Sequence, residues 1–348
     1  MSGAEGAETK FSAFRRRISI VAVFAALACV GFVLSIMKGS VEIPAAEIGQ
    51  ALTEGAEGIH AQILMNIRLP RTIVAALVGV HLSLSGAILQ AIMKNPLADP
   101  YILGISAGAS LGATFAILLG VGAALGENAV GIAAFLGAFA ISLAVLFIAN
   151  IGGRANAMKL LLGGMALSAV CSAFSSFIVY FANDKEGIQT ITYWMMGSLA
   201  GAKWEHMAII GGIVALAVLF FWSQSRILNL MLLGDASAIT LGTDLHPYRQ
   251  TYLIVSALVV GFAVFAAGMI GFVGLVVPHV VRMLVGTHHG HLIPVTALAG
   301  AIFLVVADGL CRIIIPHTEL PIGILISLVG APAFIYLMVK RTYGFGGN

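Results

Sequence analysis

The sequence predicts an all-α, polytopic membrane protein with ten transmembrane helices. Composition is the first reason, because 60% of the 348 residues are hydrophobic and only 9% are charged. Soluble domains carry about 25% charged residues, so a soluble fold of this length could not keep its surface hydrated. The second reason is a set of uncharged runs, each long enough for the roughly 20 apolar residues that cross a bilayer. They occupy residues 100–126, 128–153, 160–183, 206–225 and 250–281.

The ten spans are apolar runs separated by charged residues or by clusters of Pro and Gly. They lie at about residues 18–38, 63–93, 101–122, 127–150, 158–182, 204–224, 248–268, 270–286, 292–314 and 321–339. They form one membrane domain over residues 18–340, with tails at 1–17 and 341–348. The first run follows a basic stretch, as a signal peptide does. It exceeds the usual signal core of about 7–15 residues and is therefore predicted to stay as a span.

The distribution of Lys and Arg predicts that both termini are cytoplasmic. With ten spans, the side that holds the termini receives 12 of the 18 basic residues. Arg68, Arg71 and Arg312 fall on the outer side, against this bias. Arginine is costly in hydrocarbon, so these side chains are expected at the edge of their spans, where anchoring to lipid headgroups is one interpretation. The net charge of +3 follows from topology and indicates no nucleic-acid partner.

Two motifs join spans two and three and determine how span three packs. In NPLADP, at residues 95–100, two prolines forbid a continuous helix, and Asn and Asp favour a turn. The following GISAGASLGA, at residues 104–113, has small residues at nearly every position. Small residues let membrane helices approach one another, so this stretch predicts close helix packing.

The longest cytoplasmic segment, residues 223–250, is predicted to form two short helices that bend near Gly234 and Asp235. It has leucine or isoleucine at positions 230, 232, 233, 239 and 241, which is more apolar area than a linker needs. Exposed apolar patches of this kind are typical of a protein interface. A helix lying in the lipid interface is the alternative, although the basic residues that attract anionic lipids are sparse in this segment.

Few ionisable side chains fall inside the predicted spans. Asp308 and Arg312 are four residues apart on one helix and are expected to interact. His81 is expected to bond a neighbouring carbonyl rather than to bind a transported metal. The HHGH tract at residues 288–291 is interpreted as a polar turn rather than a metal site. The three cysteines lie in apolar runs and are predicted to pack as small hydrophobic side chains.

The motifs that are missing narrow the class of function. The sequence contains no G-x-x-x-x-G-K-[ST] pattern, so the chain has no P-loop for ATP. It has no nucleophile elbow and no metal-spaced Cys/His set, and no cofactor is predicted. A proton-driven carrier usually needs buried carboxylates, and Asp308 is almost the only carboxylate inside the predicted spans. These features favour a permease driven by a separate ATPase. A secondary, ion-coupled transporter ranks second and a membrane-embedded enzyme third.

Six stretches resemble, in order and spacing, the FecCD-type permease subunits of type II ATP-binding cassette (ABC) importers for iron-siderophore, haem and cobalamin uptake. They are RLPRTIVAALVGVHLSLSGAILQAIMKNPLADPYILGISAGASLGA, YWMMGSLAG, LLGDASAITLG, GFVGLVVPHVVR, LAGAIFLVVAD and ELPIGILISLVGAPAFIYLMVK. The likeness covers roughly residues 60–340, and the cobalamin permeases are especially similar. It implies ten helices per subunit in the inner membrane and a homodimer around a central pathway. It also implies two cytoplasmic ABC ATPase subunits and a substrate-binding protein that docks from outside.

The resemblance also implies roles for particular residues at both ends of the pathway. The residues implied to contact the ATPase are Arg226, Leu233, Gly234, Asp235, Ala238, Leu241 and Gly242. The outer arginines Arg68, Arg71 and Arg312 are implied to meet acidic residues on the binding protein, and a guanidinium fork suits carboxylates.

The resemblance further implies an inner constriction in the pathway. Asn95 and Leu97 match it in the N-P-L turn. Ala157 and Met158 replace a Thr-Ser pair of the cobalamin permeases, which either removes a second inner gate or makes it more apolar. The pathway shows no strong binding groups, as expected for a conduit whose binding protein supplies the affinity. A ferric siderophore is the first expectation for the cargo, followed by cobalamin and haem.

Overall fold

The computed structural model describes residues 21–39, 43–44, 47–49, 58–315 and 318–340. The predicted tails at 1–17 and 341–348 lie outside these residues. Over the described ranges the chain is almost entirely helical and contains no β-strand, so the predicted all-α class is confirmed. The helices follow the apolar runs of the sequence because each run closes its own backbone hydrogen bonds, as hydrocarbon requires.

Thirteen α-helical elements can be named in the described chain. They are α1 (Val21–Met37), α2 (Ile59–Met93), α3 (Ile105–Leu119), α4 (Ala129–Asn150), α5 (Ala157–Phe181), α6 (Lys185–Met195), α7 (Trp204–Ser223), α8 (Ser225–Leu233), α9 (Asp235–Thr240), α10 (His246–Ala267), α11 (Val273–Val285), α12 (His289–Cys311) and α13 (Ile322–Lys340). Short 3-10 helices precede α3 at Pro100–Leu103 and α4 at Ala123–Asn128. In α2, the turn Leu64–Arg68 is π-helical.

The long apolar helices lie where the spans were predicted. Among the described residues, six helices are long and apolar enough to cross a membrane: α2, α4 with its preceding 3-10 helix, α5, α7, α10 and α12. Four shorter apolar helices, α1, α3, α11 and α13, occupy the remaining predicted positions. The eighth, α11, has only 13 residues because the chain before it takes left-handed backbone at Gly268 and Phe272. The count of ten spans therefore stays a prediction.

Helix α2 lies at the centre of the bundle and packs against α7, α10, α11 and α12. In the most apolar 18-residue stretch of α2, 78% of the residues are buried, whereas the corresponding share in α5 and in α7 is 22%. Two glycines seven residues apart permit this packing. A Cβ at Gly79 would lie 2.1 Å from the carbonyl oxygen of Gly300, and one at Gly86 would lie 1.8 Å from that of Gly274. Small residues thus let α2 approach the backbones of its neighbours.

Helices α3 and α4 form a second closely packed pair. A Cβ at Gly108 would lie 2.5 Å from the carbonyl oxygen of Gly137, and one at Gly112 would lie 2.1 Å from that of Ala133. The close packing predicted from the small-residue stretch is therefore present, and it seats α3 and α4 beside α10.

Candidate functional site

The three arginines that were predicted to face outward, Arg68, Arg71 and Arg312, lie in one cluster at neighbouring ends of α1, α2 and α12. Arg71 donates from Nε to Asp308 Oδ1 at 2.8 Å and from Nη1 to Glu319 Oε2 at 2.7 Å. Arg312 pairs with Asp308 Oδ2 at 3.2 Å and donates to Ser35 Oγ at 2.5 Å. The expected contact between Asp308 and Arg312 is confirmed. The contact of Asp308 with Arg71 was missed, because the two residues are 237 positions apart.

Burial distinguishes the members of this cluster. Arg68, Arg71 and Arg312 are at most 7% exposed, and Asp308 is fully buried. The side chain of Glu319 is 48% exposed. Arg68 donates to the carbonyl oxygens at positions 36 and 37 at 2.7 and 3.0 Å, which ties α2 to the end of α1. Of the charged side chains in this cluster, Glu319, which accepts from Arg71, is the one that is substantially exposed.

The segment predicted to contact the ATPase forms α8 and α9, with the bend at Gly234, whose φ is 95°. Leu233 and Leu241 are each 62% exposed. Leu228 and Met231 of α8 are buried against the bundle. The segment is thus amphipathic, with one face packed on the protein and leucines on the other. Of the remaining residues assigned to this contact, Arg226, Asp235 and Gly242 are exposed, whereas Gly234 and Ala238 are buried.

Helix α8 is attached to the start of α12. Asn229 Oδ1 accepts hydrogen bonds from the backbone N–H of His289 at 2.9 Å and from its Nδ1 at 2.8 Å. His288 caps α12 by accepting from the N–H of Gly290. No group of three or more His, Cys, Asp or Glu side chains is arranged to hold a metal ion in the part of the chain that the structure covers. The HHGH tract does not form a separate turn between two spans: His288 is the N-cap of α12, and residues 289–291 form its first turn, with His289 buried.

The predicted inner constriction follows the C-terminal end of α2. Lys94 ends this helix with left-handed backbone, and Asn95 Oδ1 accepts from the N–H of Leu97 at 2.9 Å, which forms the predicted turn. Asn95 is exposed and Leu97 is half-buried. A Cβ at Gly234 would lie 2.8 Å from Lys94 Nζ, so the bend of the cytoplasmic segment is adjacent to this turn.

The positions of the second predicted gate lie in the first turn of α5. Ala157 and Met158 are both exposed, and Asn156 caps the helix by accepting from the N–H of Lys159 at 2.9 Å. The 3-10 helix that follows the NPLADP turn packs on α5, where a Cβ at Gly164 would lie 2.2 Å from the carbonyl oxygen of Ile102. The two predicted constrictions are therefore connected through this 3-10 helix.

His81 is fully buried in α2, where its Nδ1 lies 2.8 Å from the carbonyl oxygen of Leu77. The expected bond to a neighbouring carbonyl is thus observed. The three cysteines are free; Cys171 and Cys311 are buried and Cys29 is exposed on α1.

Sequence reasoning missed a cavity of about 350 Å³ between α4, α7 and α10. Trp194, His206 and Phe265 are among its lining residues, and Lys203 pairs with Glu127 there. That hydrogen bond raises the pKa of Lys203 above its ordinary value. No local motif marks this cavity, because its lining comes from separate helices.

These features together define a polytopic helical membrane permease, with polar clusters at the helix ends and an amphipathic segment outside the bundle. The profile of the FecCD transport family matches residues 27–340. The chain therefore belongs to the FecCD transport family.

Individual relatives support the same assignment. The vitamin B12 import system permease protein BtuC of Salmonella paratyphi A is 42% identical over 276 residues, which covers 79% of this chain and 82% of that protein. The hemin transport system permease protein HmuU of Yersinia pestis is 39% identical over 283 residues, covering 80% and 84%. A solved structure classed as a metal-chelate type ABC transporter, in an inward-facing conformation, superposes with a TM-score of 0.82 at 33% identity. That match covers 93% of this chain and 99% of the other.

Proposed function

We propose that the chain is the membrane permease subunit of an ABC importer for a metal chelate. It lies in the inner membrane with both termini in the cytoplasm. The observation that carries this proposal is the family match over residues 27–340, together with relatives named for haemin and vitamin B12 transport. The buried Asp308, almost the only carboxylate inside the predicted spans, is held within the chain by ion pairs with Arg71 and Arg312.

The subunit works as a homodimer with two ABC ATPase subunits on its cytoplasmic side. The exposed leucines of the α8–α9 segment support this contact. Leu233 and Leu241 point away from the bundle, and burying such side chains in a partner's groove is favourable by about 1.5–3 kcal/mol each. A segment lying in the lipid interface would also bury these leucines. The two alternatives differ in whether the ATPase depends on them.

An extracytoplasmic binding protein docks at the outer arginine cluster. The burial of Arg68, Arg71 and Arg312 constrains how it does so. Glu319 already occupies Nη1 of Arg71, so a carboxylate of the partner must join or displace Glu319. Reversing the charges of Arg68 and Arg71 is therefore a poor test, because it would disrupt a buried network whether or not a partner docks there.

The cargo is a metal chelate: haem, cobalamin or a ferric siderophore. The permease supplies a conduit with weakly binding walls, since Asn95, Leu97, Ala157 and Met158 at the inner end offer one amide and three apolar side chains. Affinity then comes from the binding protein, and the direction of transport from ATP hydrolysis by the partner ATPase.

The test is uptake into liposomes that contain the permease with its ABC ATPase, supplied with the binding protein outside. Haemin, cyanocobalamin and ferrichrome serve as probes. We expect one of them to accumulate with ATP inside the liposomes and not with a non-hydrolysable analogue. The permease alone should neither hydrolyse ATP nor accumulate a probe. Accumulation driven by a proton gradient without the ATPase would instead make the chain a secondary transporter.

A further inference from the structure

The first turns of α10 and the residues just before them contact the loop between α4 and α5, residues 151–156, at two points and the last residue of α4 at a third. Arg154 Nη1 donates to Asp244 Oδ1 at 3.0 Å, Arg249 Nη1 donates to the carbonyl oxygen of Ala155 at 3.4 Å, and Gln250 Nε2 donates to Asn150 Oδ1 at 3.3 Å. The loop leads directly into the first turn of α5.

The middle contact differs from the other two because Arg249 is buried and binds two separate elements. Its Nη2 donates to Asp235 Oδ1 at 2.6 Å, at the start of α9, while its Nη1 reaches Ala155. Ala155 is itself only 2% exposed. One guanidinium thus connects the cytoplasmic segment with the residue two positions before Ala157.

The properties of arginine suit this connection. Its planar fork presents donors in fixed directions, so two acceptors on different elements can be held at once. The side chain of Arg249 is 9% exposed and that of Asp235 is 56% exposed, so separation would leave the buried guanidinium without its partners. Such a loss is unfavourable, and Asp235 and Ala155 are therefore expected to move with Arg249. The loop can follow such a movement because Gly152 and Gly153 both have positive φ, a conformation that glycine adopts without strain.

The contact between Arg154 and Asp244 is of a different kind. The side chains of Arg154 and Asp244 are 66% and 49% exposed, and water screens such a pair. The pKa of Asp244 is lowered, first by the hydrogen bond from the N–H of His246 and then by Arg154. This pair holds the same loop but does not touch α8 or α9, and it therefore provides a matched control.

We infer that Arg249 is a positioning residue that transmits movement of the α8–α9 segment to the start of α5, and thereby couples ATP hydrolysis to the inner gate. This inference rests on the proposed function. When the ATPase moves α9, Asp235 displaces Arg249, and Arg249 carries Ala155 and the first turn of α5 with it. The exposed Ala157 and Met158 lie in that turn, so the movement changes the inner opening of the pathway.

The first test is hydrogen exchange on the full-length permease in lipid nanodiscs, without any partner. Arg249→Gln and Arg249→Lys should each speed amide exchange at residues 155–159 at least tenfold. The control Arg154→Gln should change it less than threefold. Arg249→Lys is the discriminating variant, because it keeps the positive charge for Asp235 but replaces the two fixed nitrogens that reach Asp235 and Ala155 with one ammonium on a flexible stem. Unchanged exchange in both Arg249 variants would show that this residue does not hold the loop.

The second test measures ATP hydrolysed per molecule of chelate taken up by the assembled importer, using whichever of the three probes the wild-type importer accumulates. Both Arg249 variants should retain the ATPase and should raise this ratio at least tenfold, while Arg154→Gln stays within twofold of wild type. A wild-type ratio in Arg249→Lys would mean that the ion pair alone suffices and would overturn the relay. Loss of the ATPase from both variants would also overturn it, by making Arg249 part of the docking surface.

The two proposals fail in different ways. If the wild-type importer takes up no probe with ATP, the proposed function is wrong, while hydrogen exchange still decides whether Arg249 holds Ala155. If the wild type transports and both Arg249 variants couple normally, the proposed function stands and the relay is wrong.

Discussion

The two ends of the bundle differ in how their charged and apolar side chains are placed. At the end predicted to face outward, Arg68, Arg71 and Arg312 are buried and are bonded within the chain, and of the two acids that pair with Arg71 only Glu319 is exposed. At the end predicted to face the cytoplasm, Leu233 and Leu241 are exposed on a segment that lies outside the bundle. The outer cluster is thus mostly satisfied by the chain itself, whereas the inner segment leaves apolar area uncovered. Removing one member of a buried ion network destabilises a fold, whereas an uncovered apolar face is typical of a contact with a partner.

Asp308→Asn should have the largest effect, because it leaves two buried arginines without their shared carboxylate. Removing one member of a buried ion network costs about 3–5 kcal/mol. The thermal unfolding midpoint of the purified permease should fall sharply. The control Glu319→Gln, at a half-exposed position, should cost less than about 1 kcal/mol. Equal midpoints for Asp308→Asn and wild type would show that the outer cluster does not stabilise the fold.

Replacing Leu233 or Leu241 by Asp should leave the permease inserted and folded but should release the ATPase. An unpaired charge buried in an interface costs several kcal/mol, which is enough to dissociate a complex during purification. Co-purification of the ATPase checks this, with Leu233→Met as the control that keeps the apolar volume. Retention of the ATPase at wild-type level in both Asp variants would favour the lipid-interface alternative.

If the outer cluster docks the binding protein, Glu319→Gln should strengthen the binding of that protein. This is the smallest of the three expected effects, and it is a gain where the other two are losses. Neutralising Glu319 removes the acid that competes for Arg71, so affinity for the binding protein should rise by up to about tenfold, or 1.4 kcal/mol. The gain should be greater at low salt, because screening weakens exposed charge pairs. Binding measured at two ionic strengths decides the matter. Unchanged affinity at both would leave the cluster with a structural role only.

Much of the fold could be predicted because its signals are local. The apolar runs place the long helices, and the spacing of four residues predicts the contact of Asp308 with Arg312. The glycine at position 234 predicts the bend between α8 and α9. Helix α6 was not predicted, because its 11 residues lie in a polar outer segment without the length or hydropathy of a span. Its N-cap, Asp184, accepts from the N–H of Gly187 and is a local signal that could have identified it.

The candidate site was predicted less completely than the fold. The resemblance identified the candidate residues at both ends of the pathway, but it did not indicate which of them are buried. The outer arginines were expected to face the outside. The structure encloses them because α1, α12 and the segment before α13 supply acceptors from three distant parts of the chain. The residues next to an arginine in the sequence do not indicate whether its guanidinium is accessible or buried. The burial of these arginines therefore could not be predicted from the sequence.

The sequence by itself determined that this chain is a helical membrane protein, where most of its helices lie, and that the segment at residues 223–250 carries excess apolar surface. Those properties depend on the transfer of consecutive side chains into hydrocarbon, which is a local quantity. The tertiary structure decided which polar groups meet. Arg71 reaches Asp308 across 237 positions, and Arg249 reaches Ala155 across 94. Such contacts depend on how the glycines of α2, α3 and α4 let the helix backbones approach, and no local pattern in the sequence encodes that geometry.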